Sequence, residues 1–376
     1  MFGRAILKWG MLFTNIVVAI IMLLTLIGTV LSPEDFILPA YFTLTFPIFI
    51  ALNLGFVFFW MLARKWFFLL SLSLLLFSAN EVNNTLPIHF GKTKEIKANR
   101  PIHILTYNTK ISGDLKKHTK RKPNKVIQYI LDSNADIVCL QEFCVAEKTE
   151  FITHADMIRI FKKYPYKHIE YKFKASNFTC GIATFSKYPI VRKHKIKYPS
   201  YYNISIYSDI NINGKIIRLI NNHLESNRLT EIDKSLPIKL KNDFTSENLT
   251  GATKEFSRKL GIAYKLRARQ ADIVSKVITD SPYDVIACGD LNDVPSSYAY
   301  TKLKGDLKDT FSEIGNGFGW TYNERIYHFR IDYVFYDSQS FVPISYKMDN
   351  VKYSDHYPVQ CVIDINNSGN NQENSL

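Results

Sequence analysis

The sequence lacks the cysteine patterns of zinc clusters and thioredoxin-like proteins. It has five cysteines in 376 residues, and no Cys-x-x-Cys pair occurs among them. The absence of such a pair argues against both kinds of site. Cys139 and Cys288 lie inside apolar runs, where cysteine is common as a small core residue. A disulfide between Cys144 and Cys180 is conceivable, but it is not what we expect.

Charge is scarce in the first eighty residues. The runs Met11–Leu31 and Phe36–Leu62 carry no charged side chain, and each is long enough to cross a bilayer as a helix. A third apolar run, Trp66–Ala79, is shorter and could either span or lie in the interface. A cleaved signal peptide is a rival for the first run, but the run is too long and a second one follows at once. Transport is excluded because these runs lack buried ionisable residues.

The flanking charges predict the orientation of the apolar runs. Basic residues precede the first run, and Arg64 and Lys65 follow the second, whereas Glu34 and Asp35 lie between the two. The positive-inside rule therefore places the N-terminus and the 64–65 loop in the cytoplasm. If the third run spans, everything after Ala79 lies outside, and otherwise it is cytoplasmic. We expect an integral protein of a bacterial inner membrane, with its soluble domain on the extracytoplasmic side.

Composition divides the chain into four parts. They are a membrane anchor of two or three transmembrane helices at 1–80, a polar linker at 81–100, a soluble domain at 101–365 and a polar tail at 366–376 that is predicted to be disordered. The net charge of +13 favours anionic partners such as nucleic acid, phosphorylated molecules or an acidic membrane surface. The basic run Lys116–Lys125 is typical of a solvated loop or of a nucleic-acid clamp.

The soluble domain alternates between strand and helix patterns. Short apolar runs predict buried strands at 102–108, 136–140 and 285–288, and helical spacing predicts helices at 121–133 and 252–279. Asn213-Gly214 predicts a hairpin. These patterns indicate an α+β domain with sheets packed between helices. The long segment 225–265 could hold a lid or an exposed helical hairpin.

Polar residues gather where the predicted strands end or begin. The candidates are Asn108, Glu142, His223, Asp290, Asn292, Arg330, Asp332, Asp355 and His356. One such residue alone is usually a turn or cap residue, but strand ends can converge on one rim and form a cleft. The carboxylate and amide oxygens favour Mg²⁺, with Mn²⁺ or Ca²⁺ as alternatives, over zinc.

Several of these segments resemble a known family. In chain order, ILTYN, DIVCLQE, GIATFSKYPI, NNHLES, CGDLND-x-P, RIDYVF and SDHYPV are similar to the endonuclease/exonuclease/phosphatase superfamily, whose fold is that of deoxyribonuclease I. The resemblance covers residues 100–365. It implies a four-layer α/β/β/α sandwich, here preceded by transmembrane helices. It also implies a metal-dependent, nuclease-like hydrolase that cleaves phosphodiester, or else phosphomonoester, bonds by in-line attack of water.

The resemblance implies a role for each residue of the metal and water site. Glu142 would bind the divalent metal, with contributions from Asn108 and Asp355. Asp290 would orient or deprotonate the attacking water, and the amide of Asn292 would contact a phosphate oxygen.

Further roles follow for the two histidines and their neighbours. His356 would hydrogen-bond the scissile phosphate, with Asp332 fixing its ring. His223 would be a second phosphate-binding or acid histidine, unless it is only a hairpin-edge residue. Arg330 would either contact substrate or brace the sheet. Lys110 departs from the family pattern, since many relatives have an acid there, and this puts a second metal-binding carboxylate in doubt.

The substrate is left open by the sequence. Nucleic acid, a phospholipid head group and an inositol phosphate all fit the family, and the predicted partners are such a phosphoester and the lipid bilayer, with no obligate protein partner. Nucleases of the family often have a tyrosine just before the strand that begins at Gly181, whereas this chain has Phe178, Thr179 and Cys180 there, which weakens a claim of abasic-site endonuclease activity. Residues 198–202 could form an exposed apolar hairpin, as a sphingomyelinase-like enzyme would need, or a packed turn. A non-catalytic tethered module is the remaining alternative, and the intact candidate residues argue against it.

Overall fold

The structure, a computed structural model, describes residues 2–90, 98–147, 151–228, 235, 246–324 and 327–366. They divide into two compact units. The first comprises residues 1–86, 226–269 and 294–301, and the second comprises residues 87–225, 270–293 and 302–376. The predicted tail, and most of the segment between 229 and 245, lie outside the described residues.

The first unit begins with five helices. They are α1 (Phe2–Val30), α2 (Leu38–Thr43), α3 (Phe46–Leu62), α4 (Phe68–Phe77) and α5 (Ala79–Thr85). Within α1, Ala5–Val30 is long and apolar enough to cross a membrane or to serve as a signal sequence, whereas α3 and α4 are shorter apolar helices.

The second apolar run is divided between two helices. The sequence predicts one continuous stretch over 36–62, but α2 ends at Thr43 and α3 starts at Phe46. Pro47 lies in the first turn of α3. Backbone N–H groups of the first turn have no acceptor within the helix, so proline loses no hydrogen bond there. In a continuous helix the same proline would remove the bond to the carbonyl of Thr43, so the break follows from the sequence.

Polar side chains tie the apolar helices of the first unit together. The amide of Asn15 on α1 donates to Ser71 Oγ on α4 at 2.7 Å, and the indole of Trp60 on α3 donates to Asn15 Oδ1 at 2.9 Å. All three side chains are buried. Because each buried polar group has a partner, three helices are fixed in one arrangement at little desolvation cost.

The second unit contains two six-stranded sheets. Their strands are β1 (Pro101–Asn108), β2 (Ile137–Ala146), β3 (Tyr166–Lys174), β4 (Phe178–Ser186), β5 (Ile190–Ile196), β6 (Ser205–Ile212), β7 (Lys215–His223), β8 (Val285–Asp290), β9 (Lys308–Asp309), β12 (Asp332–Tyr336), β13 (Phe341–Met348) and β14 (Val359–Ile365), and β10 (Tyr322–Glu324) pairs with β11 (Tyr327–Phe329) as a separate hairpin. Sheet A has the order β13-β14-β1-β2-β4-β3, and sheet B has the order β5-β6-β7-β8-β12-β9. The strands predicted from the sequence are confirmed.

The core of the second unit lies between the two sheets. Ile104 and Cys139 of sheet A pack there with Leu219, Cys288 and other apolar residues of sheet B. Helices α6 (Lys125–Ser133) and α7 (His154–Ile160) cover the outer face of sheet A. The described residues also include helices α8 (Ser246–Thr279) and α9 (Tyr298–Lys304), each with residues assigned to both units, and α10 (Thr310–Ile314) in the second unit. The architecture is the four-layer α/β/β/α sandwich that the sequence predicts.

A disulfide joins β2 to β4, contrary to our expectation. Cys144 and Cys180 are cross-strand partners with a Cα separation of 4.1 Å. Their pairing depends on a bulge, since the register shifts between Leu140 and Phe143. The sequence does not reveal this shift, and it is the shift that brings the two cysteines opposite each other.

Candidate active site

The candidate residues come together because the strands that carry them end, or begin, at one rim. β1 and β2 are parallel; β1 ends at Asn108, and Glu142 follows the last residue of β2 that pairs with β1. β7 and β8 are parallel and end at His223 and Asp290. β12 is antiparallel to β8 and starts at Asp332, directly opposite Asp290. The predicted convergence of strand ends is therefore present within the second unit.

Asp290 is the centre of the cluster and is fully buried. Its Oδ2 accepts a hydrogen bond from the Asn108 amide at 2.9 Å. The same oxygen lies 3.7 Å from Nε2 of His223 and 3.7 Å from Nε2 of His356. Burial raises the pKa of Asp290, and the Asp332 carboxylate adds to this, while the two histidines oppose it. One carboxylate oxygen is thus shared by an amide and two imidazoles.

Asn292 is held beside Asp290 in a left-handed conformation, with φ of 53°. Its backbone N–H donates to Asp290 Oδ1 at 2.7 Å, and its side-chain amide donates to the carbonyl of Leu224 at 3.0 Å. Asparagine adopts this conformation more readily than most residues. The turn after β8 therefore points both Asp290 and Asn292 into the cluster.

His356 and Asp332 form a buried pair. Nδ1 of His356 lies 2.8 Å from Asp332 Oδ2, and Thr321 Oγ1 accepts the backbone N–H of Asp332. Burial lowers the pKa of His356, but the carboxylates of Asp332 and Asp290 outweigh it and raise that pKa to about 10. His356 is therefore an imidazolium at neutral pH, with Nε2 directed at Asp290.

His223 differs from His356 in charge. It is buried, and burial lowers its pKa although Asp290 lies close by. Its main chain pairs with Ile204 through two hydrogen bonds of 3.1 and 3.2 Å. The ring is therefore a neutral imidazole at neutral pH, and it can accept a proton, which the imidazolium of His356 cannot.

Glu142 reaches the cluster from the bulge in β2. Its φ of 51° is unusual for a glutamate, and its Oε1 lies 3.4 Å from the Asn108 amide. Burial and the nearby carboxylate of Asp355 raise the pKa of Glu142. Asp355 is half-buried and accepts a hydrogen bond from Ser354 Oγ at 3.2 Å. Ser354 Oγ also contacts the carbonyl of Asn108, so both acids are tied to the end of β1.

A left-handed turn follows β1 and contacts Glu142. The six residues with positive φ are Lys110, Ile111, Ser112, Gly113, Asp114 and Leu115. The N–H of Ile111 donates to Glu142 Oε2 at 3.2 Å, and Ser112 Oγ bonds to the backbone of Cys144. Consecutive left-handed residues are costly for L-amino acids. The sequence gives no signal for this turn beyond Gly113, and we did not predict it.

Arg330 does not join the cluster. Its Nη1 donates to Asp309 Oδ2 at 2.6 Å, and both side chains are buried. Its guanidinium also stacks on the rings of Phe311 and Tyr333. Of the two interpretations of Arg330, this geometry favours bracing of the sheet over contact with substrate.

Two groups of side chains could hold a cation. Asp290, Asp332 and His356 offer ligand atoms that all lie within 4.8 Å of one another, so the described part of the chain contains a possible acidic and histidine metal site. Glu142 and Asp355 form a second set, next to the amide of Asn108. In the first set, Nδ1 of His356 is already bonded to Asp332 and the ring is cationic, which leaves it no lone pair for a metal.

The candidate residues, from Asn108 to His356, lie within a segment that one family model matches. The model of the Endonuclease/Exonuclease/phosphatase family matches residues 105–356. A second model, a domain of unknown function (DUF8431), matches residues 6–85. No curated protein matches the chain.

Several solved structures are similar in fold. An endonuclease/exonuclease/phosphatase from Beutenbergia cavernae is 16% identical with a TM-score of 0.49, over 71% of this chain and 72% of that one. The human Nocturnin catalytic domain with bound sulfate is 14% identical with a TM-score of 0.49, over 72% and 97%. D. rerio TDP2 complexed with single strand DNA product is 15% identical with a TM-score of 0.48, over 71% and 100%.

Proposed function

Because this chain belongs to the endonuclease/exonuclease/phosphatase family, we propose that it is a divalent-metal-dependent phosphoesterase that hydrolyses phosphodiester bonds by in-line attack of water. The observation that carries the proposal is the sharing of Asp290 Oδ2 by a neutral and a cationic histidine, each at 3.7 Å. A base and a cationic hydrogen-bond donor are the two groups that attack on an anionic phosphate requires.

Asp290 is proposed to take the proton of the attacking water. Burial raises the pKa of its carboxyl group, and a base is most effective when its pKa lies closer to the working pH. The amides of Asn108 and Asn292 fix the direction of its oxygens. These contacts support a carboxylate held ready for one water molecule rather than a turn residue.

His356 is proposed to stabilise the charge of the transition state. Asp332 holds Nδ1, so the imidazolium presents its Nε2–H to the cluster. A fixed cationic donor in a dry site acts strongly on a phosphoryl group that gains negative charge. His223, neutral and adjacent to the same carboxylate, is proposed to bind the phosphate, or to take from Asp290 the proton of the attacking water and pass it to the leaving oxygen.

Glu142, with Asn108 and Asp355, is proposed to hold the metal, and Mg²⁺ is the ion that fits these ligands best. The donor set consists of hard oxygens, and the two carboxylates lie close enough for Asp355 to raise the pKa of Glu142. A bound divalent cation would offset their repulsion. When bound, it would supply charge neutralisation at the phosphate oxygens. Mn²⁺ or Ca²⁺ could occupy the same ligands.

Hydrolysis of bis(p-nitrophenyl) phosphate by the full-length protein in neutral detergent tests the proposal. We expect activity with Mg²⁺, loss of activity with EDTA, and a loss of ~10²–10⁴-fold in the Asp290→Asn variant. Asp280→Asn is the matched control, since Asp280 is exposed and paired only with Lys276 in the described structure. Activity that survives both EDTA and Asp290→Asn would contradict the mechanism.

The N-terminal residues are proposed to anchor the enzyme in a membrane, with the catalytic domain outside the cytoplasm. The apolar helix over Ala5–Val30 supports an anchor. The disulfide between Cys144 and Cys180 supports the side, because disulfides persist in oxidising compartments. We retain 1–80 as anchor, 81–100 as linker and 101–365 as catalytic domain.

Fusions to the end of the full chain test the orientation. Alkaline phosphatase is active only outside the cytoplasm, and green fluorescent protein exported by the same route is dark. We expect an active phosphatase fusion and a dark fluorescent one. The reverse pattern would mean that the run containing α4 does not span.

A further inference from the structure

A fully buried glutamine on α8 bonds to the segment that follows β7. Gln270 is 0% exposed. Its Oε1 accepts the backbone N–H of Glu225 at 2.7 Å, and its Nε2 donates to the Glu225 carboxylate and to the carbonyl of Pro199, each at 3.2 Å. Burial of an amide costs free energy unless the amide is hydrogen-bonded. An apolar residue would suit a buried helix position equally well, so the reason for a glutamine lies in these partners.

The carboxylate of Glu225 extends the network to the loop before β6. Ser200 Oγ donates to Glu225 Oε2 at 2.7 Å and accepts the backbone N–H of Asn203 at 3.0 Å. The side-chain amide of Asn203, itself buried, donates to the carbonyl of Leu224 at 2.8 Å. Two buried amides, one on α8 and one on this loop, therefore hold the residues that directly follow His223.

Both amides bond to a single peptide group. The carbonyl of Leu224 and the N–H of Glu225 belong to the same planar trans unit, in which they point in opposite directions. Because Gln270 Oε1 accepts the N–H, it also fixes the direction of the carbonyl. A rotation of this peptide plane would break the bond to Gln270 and leave a buried N–H without its partner, which is costly.

The carbonyl of Leu224 is also the acceptor for a candidate catalytic amide. Nδ2 of Asn292 donates to this carbonyl at 3.0 Å and lies 3.3 Å from Asp290 Oδ2. A side-chain amide has two N–H groups. Since one of them is bonded to Leu224, the other is directed toward Asp290. The carbonyl thus sets the rotation of the Asn292 amide, because the flipped amide would place its oxygen against the carbonyl oxygen.

The histidine at the end of β7 is held by other contacts. The main chain of His223 pairs with Ile204, and the hydroxyl of Tyr198 donates to the His223 carbonyl at 3.2 Å. Only one residue further along, the amide of Asn292 bonds to the carbonyl that Gln270 orients. All of these residues belong to the second unit. Loss of the Gln270 amide is therefore expected to act on Asn292 before it acts on His223.

We propose that Gln270 is a positioning residue, which acts through the Leu224–Glu225 peptide group on the amide of Asn292, and that Asn203 supports the same peptide group at its carbonyl. The proposal rests on the proposed function, because it concerns the hydrolysis in which Asn292 takes part. It differs from a catalytic role, since the peptide group and Asn292 separate Gln270 from Asp290. A glutamine that only joined α8 to the loop would affect stability and leave Asn292 in place.

Kinetics of the Gln270→Met variant of the full-length protein in detergent test the proposal. Methionine is flexible and of similar length, but it has no N–H to donate. With bis(p-nitrophenyl) phosphate and saturating Mg²⁺, we expect kcat to fall roughly 10- to 100-fold, with little change in KM, because the contact that is lost is one made in the transition state. The control is Gln360→Met, since the amide of Gln360 also bonds to side chains of other segments, Tyr129 and Asp349. An unchanged kcat in Gln270→Met, or an equal loss in both variants, would overturn the proposal.

Combination with Asn292→Ala decides whether Gln270 acts through that amide. If it does, the double variant Gln270→Met/Asn292→Ala should be no less active than Asn292→Ala alone. Losses that multiply would show that the two residues act independently, which would overturn the proposal. Asn203→Ala, combined with Asn292→Ala in the same way, tests the same peptide group from its carbonyl and replaces Gln270→Met if that variant does not fold.

Hydrogen exchange followed by mass spectrometry tests the same path without turnover. The backbone N–H of Asn292 donates to Asp290 Oδ1, so its exchange reports the order of the turn after β8. We expect the peptide that contains Asn292 to exchange roughly 2- to 10-fold faster in Gln270→Met and in Asn203→Ala, as the loss of one hydrogen bond implies. In Gln360→Met it should exchange at the rate of the unmodified protein.

The two measurements separate failure of this proposal from failure of the proposed function. Absence of any hydrolysis of bis(p-nitrophenyl) phosphate by the unmodified protein would refute the proposed function. Faster exchange at Asn292 in Gln270→Met would in that case still support the path from Gln270 to Asn292. Unchanged exchange in both Gln270→Met and Asn203→Ala would overturn that path, whether or not the unmodified protein is active.

Discussion

The two sheets supply the candidate active site by different means. Sheet B presents Asp290 and Asp332 opposite each other at the ends of regular strands, and buried hydrogen bonds between side chains hold them. Sheet A presents Glu142 from a bulge, beside a left-handed turn and two residues before a disulfide cysteine. One half of the site thus depends on side-chain pairing, and the other depends on irregular backbone.

This difference implies that substitutions in the two halves of the site have different effects on the enzyme. A change to a side chain of sheet B should remove a proton carrier or a charge, and the loss should appear in kcat. A change to the backbone supports of sheet A should move Glu142, and the loss should appear in metal affinity and stability. The largest effects are expected where the chemistry itself is removed.

Asp332→Asn should give the largest loss of activity. Without the carboxylate, the ring of His356 loses both its orientation and the charge that raises its pKa to about 10. We expect kcat to fall by ~10²–10⁴-fold. In the wild type, activity should fall as the pH rises through about 10, where the imidazolium deprotonates. In the variant this alkaline limb should move to lower pH, because an imidazolium without an anionic partner loses its proton more easily.

The control for Asp332→Asn is Asp337→Asn, which changes an acid just beyond the opposite end of β12. A variant of Asp332 that kept the alkaline limb of the wild type would show that Asp332 does not set the charge of His356. Side-chain pairing would then not explain the charge of His356.

Loss of the disulfide should destabilise the half of the site on sheet A. The bond closes a separation of 36 residues, for which chain entropy gives about 3 to 4 kcal/mol. We expect the double variant Cys144→Ser/Cys180→Ser to unfold at lower denaturant concentration and to need more Mg²⁺ for activity. Under denaturing conditions without reductant, three thiols should react, and after reduction five should react, as the five cysteines require. Five reactive thiols before reduction would contradict the disulfide.

Glu142→Gln should weaken metal binding more than it weakens the chemical step. An amide oxygen is a poorer ligand for Mg²⁺ than a carboxylate, so the half-saturating Mg²⁺ concentration should rise by at least about 10-fold. High Mg²⁺ should restore much of kcat, which it would not do for Asp332→Asn. Glu170→Gln, on β3, is the control. A fall in kcat that persists at saturating Mg²⁺ would show that Glu142 takes part in the chemical step and does not act only as a metal ligand.

The sequence predicts the regular strand ends of the site but not its irregular backbone. Strand ends can be recognised because apolar runs stop at polar residues, so Asp290, Asp332 and His356 are found from the sequence. The bulge in β2 and the turn after β1 cannot be recognised, since their residues are compatible with regular backbone and only tertiary contacts select the irregular form. Arg330 shows a further limit. The sequence leaves Arg330 with two interpretations, contact with substrate or bracing of the sheet, and the position of Asp309 favours the second.

Ile111→Gly should have the smallest effect, because relief of backbone strain offsets the loss of side-chain burial. Ile111 has φ of 53°, a conformation that a β-branched residue adopts only at a cost of ~1–2 kcal/mol and that glycine adopts freely. The side chain is only 37% exposed, so its removal also loses burial, and this loss offsets the relief of strain. We expect the free energy of unfolding to change by less than about 1 kcal/mol, while the N–H of residue 111 still reaches Glu142. Ile158→Gly, in the regular helix α7, should instead lose about 1 kcal/mol. Because the two substitutions are chemically identical, urea denaturation of the pair isolates the backbone conformation. A loss at Ile111 as large as the loss at Ile158 would mean that backbone strain does not offset the lost contacts in the turn beside Glu142.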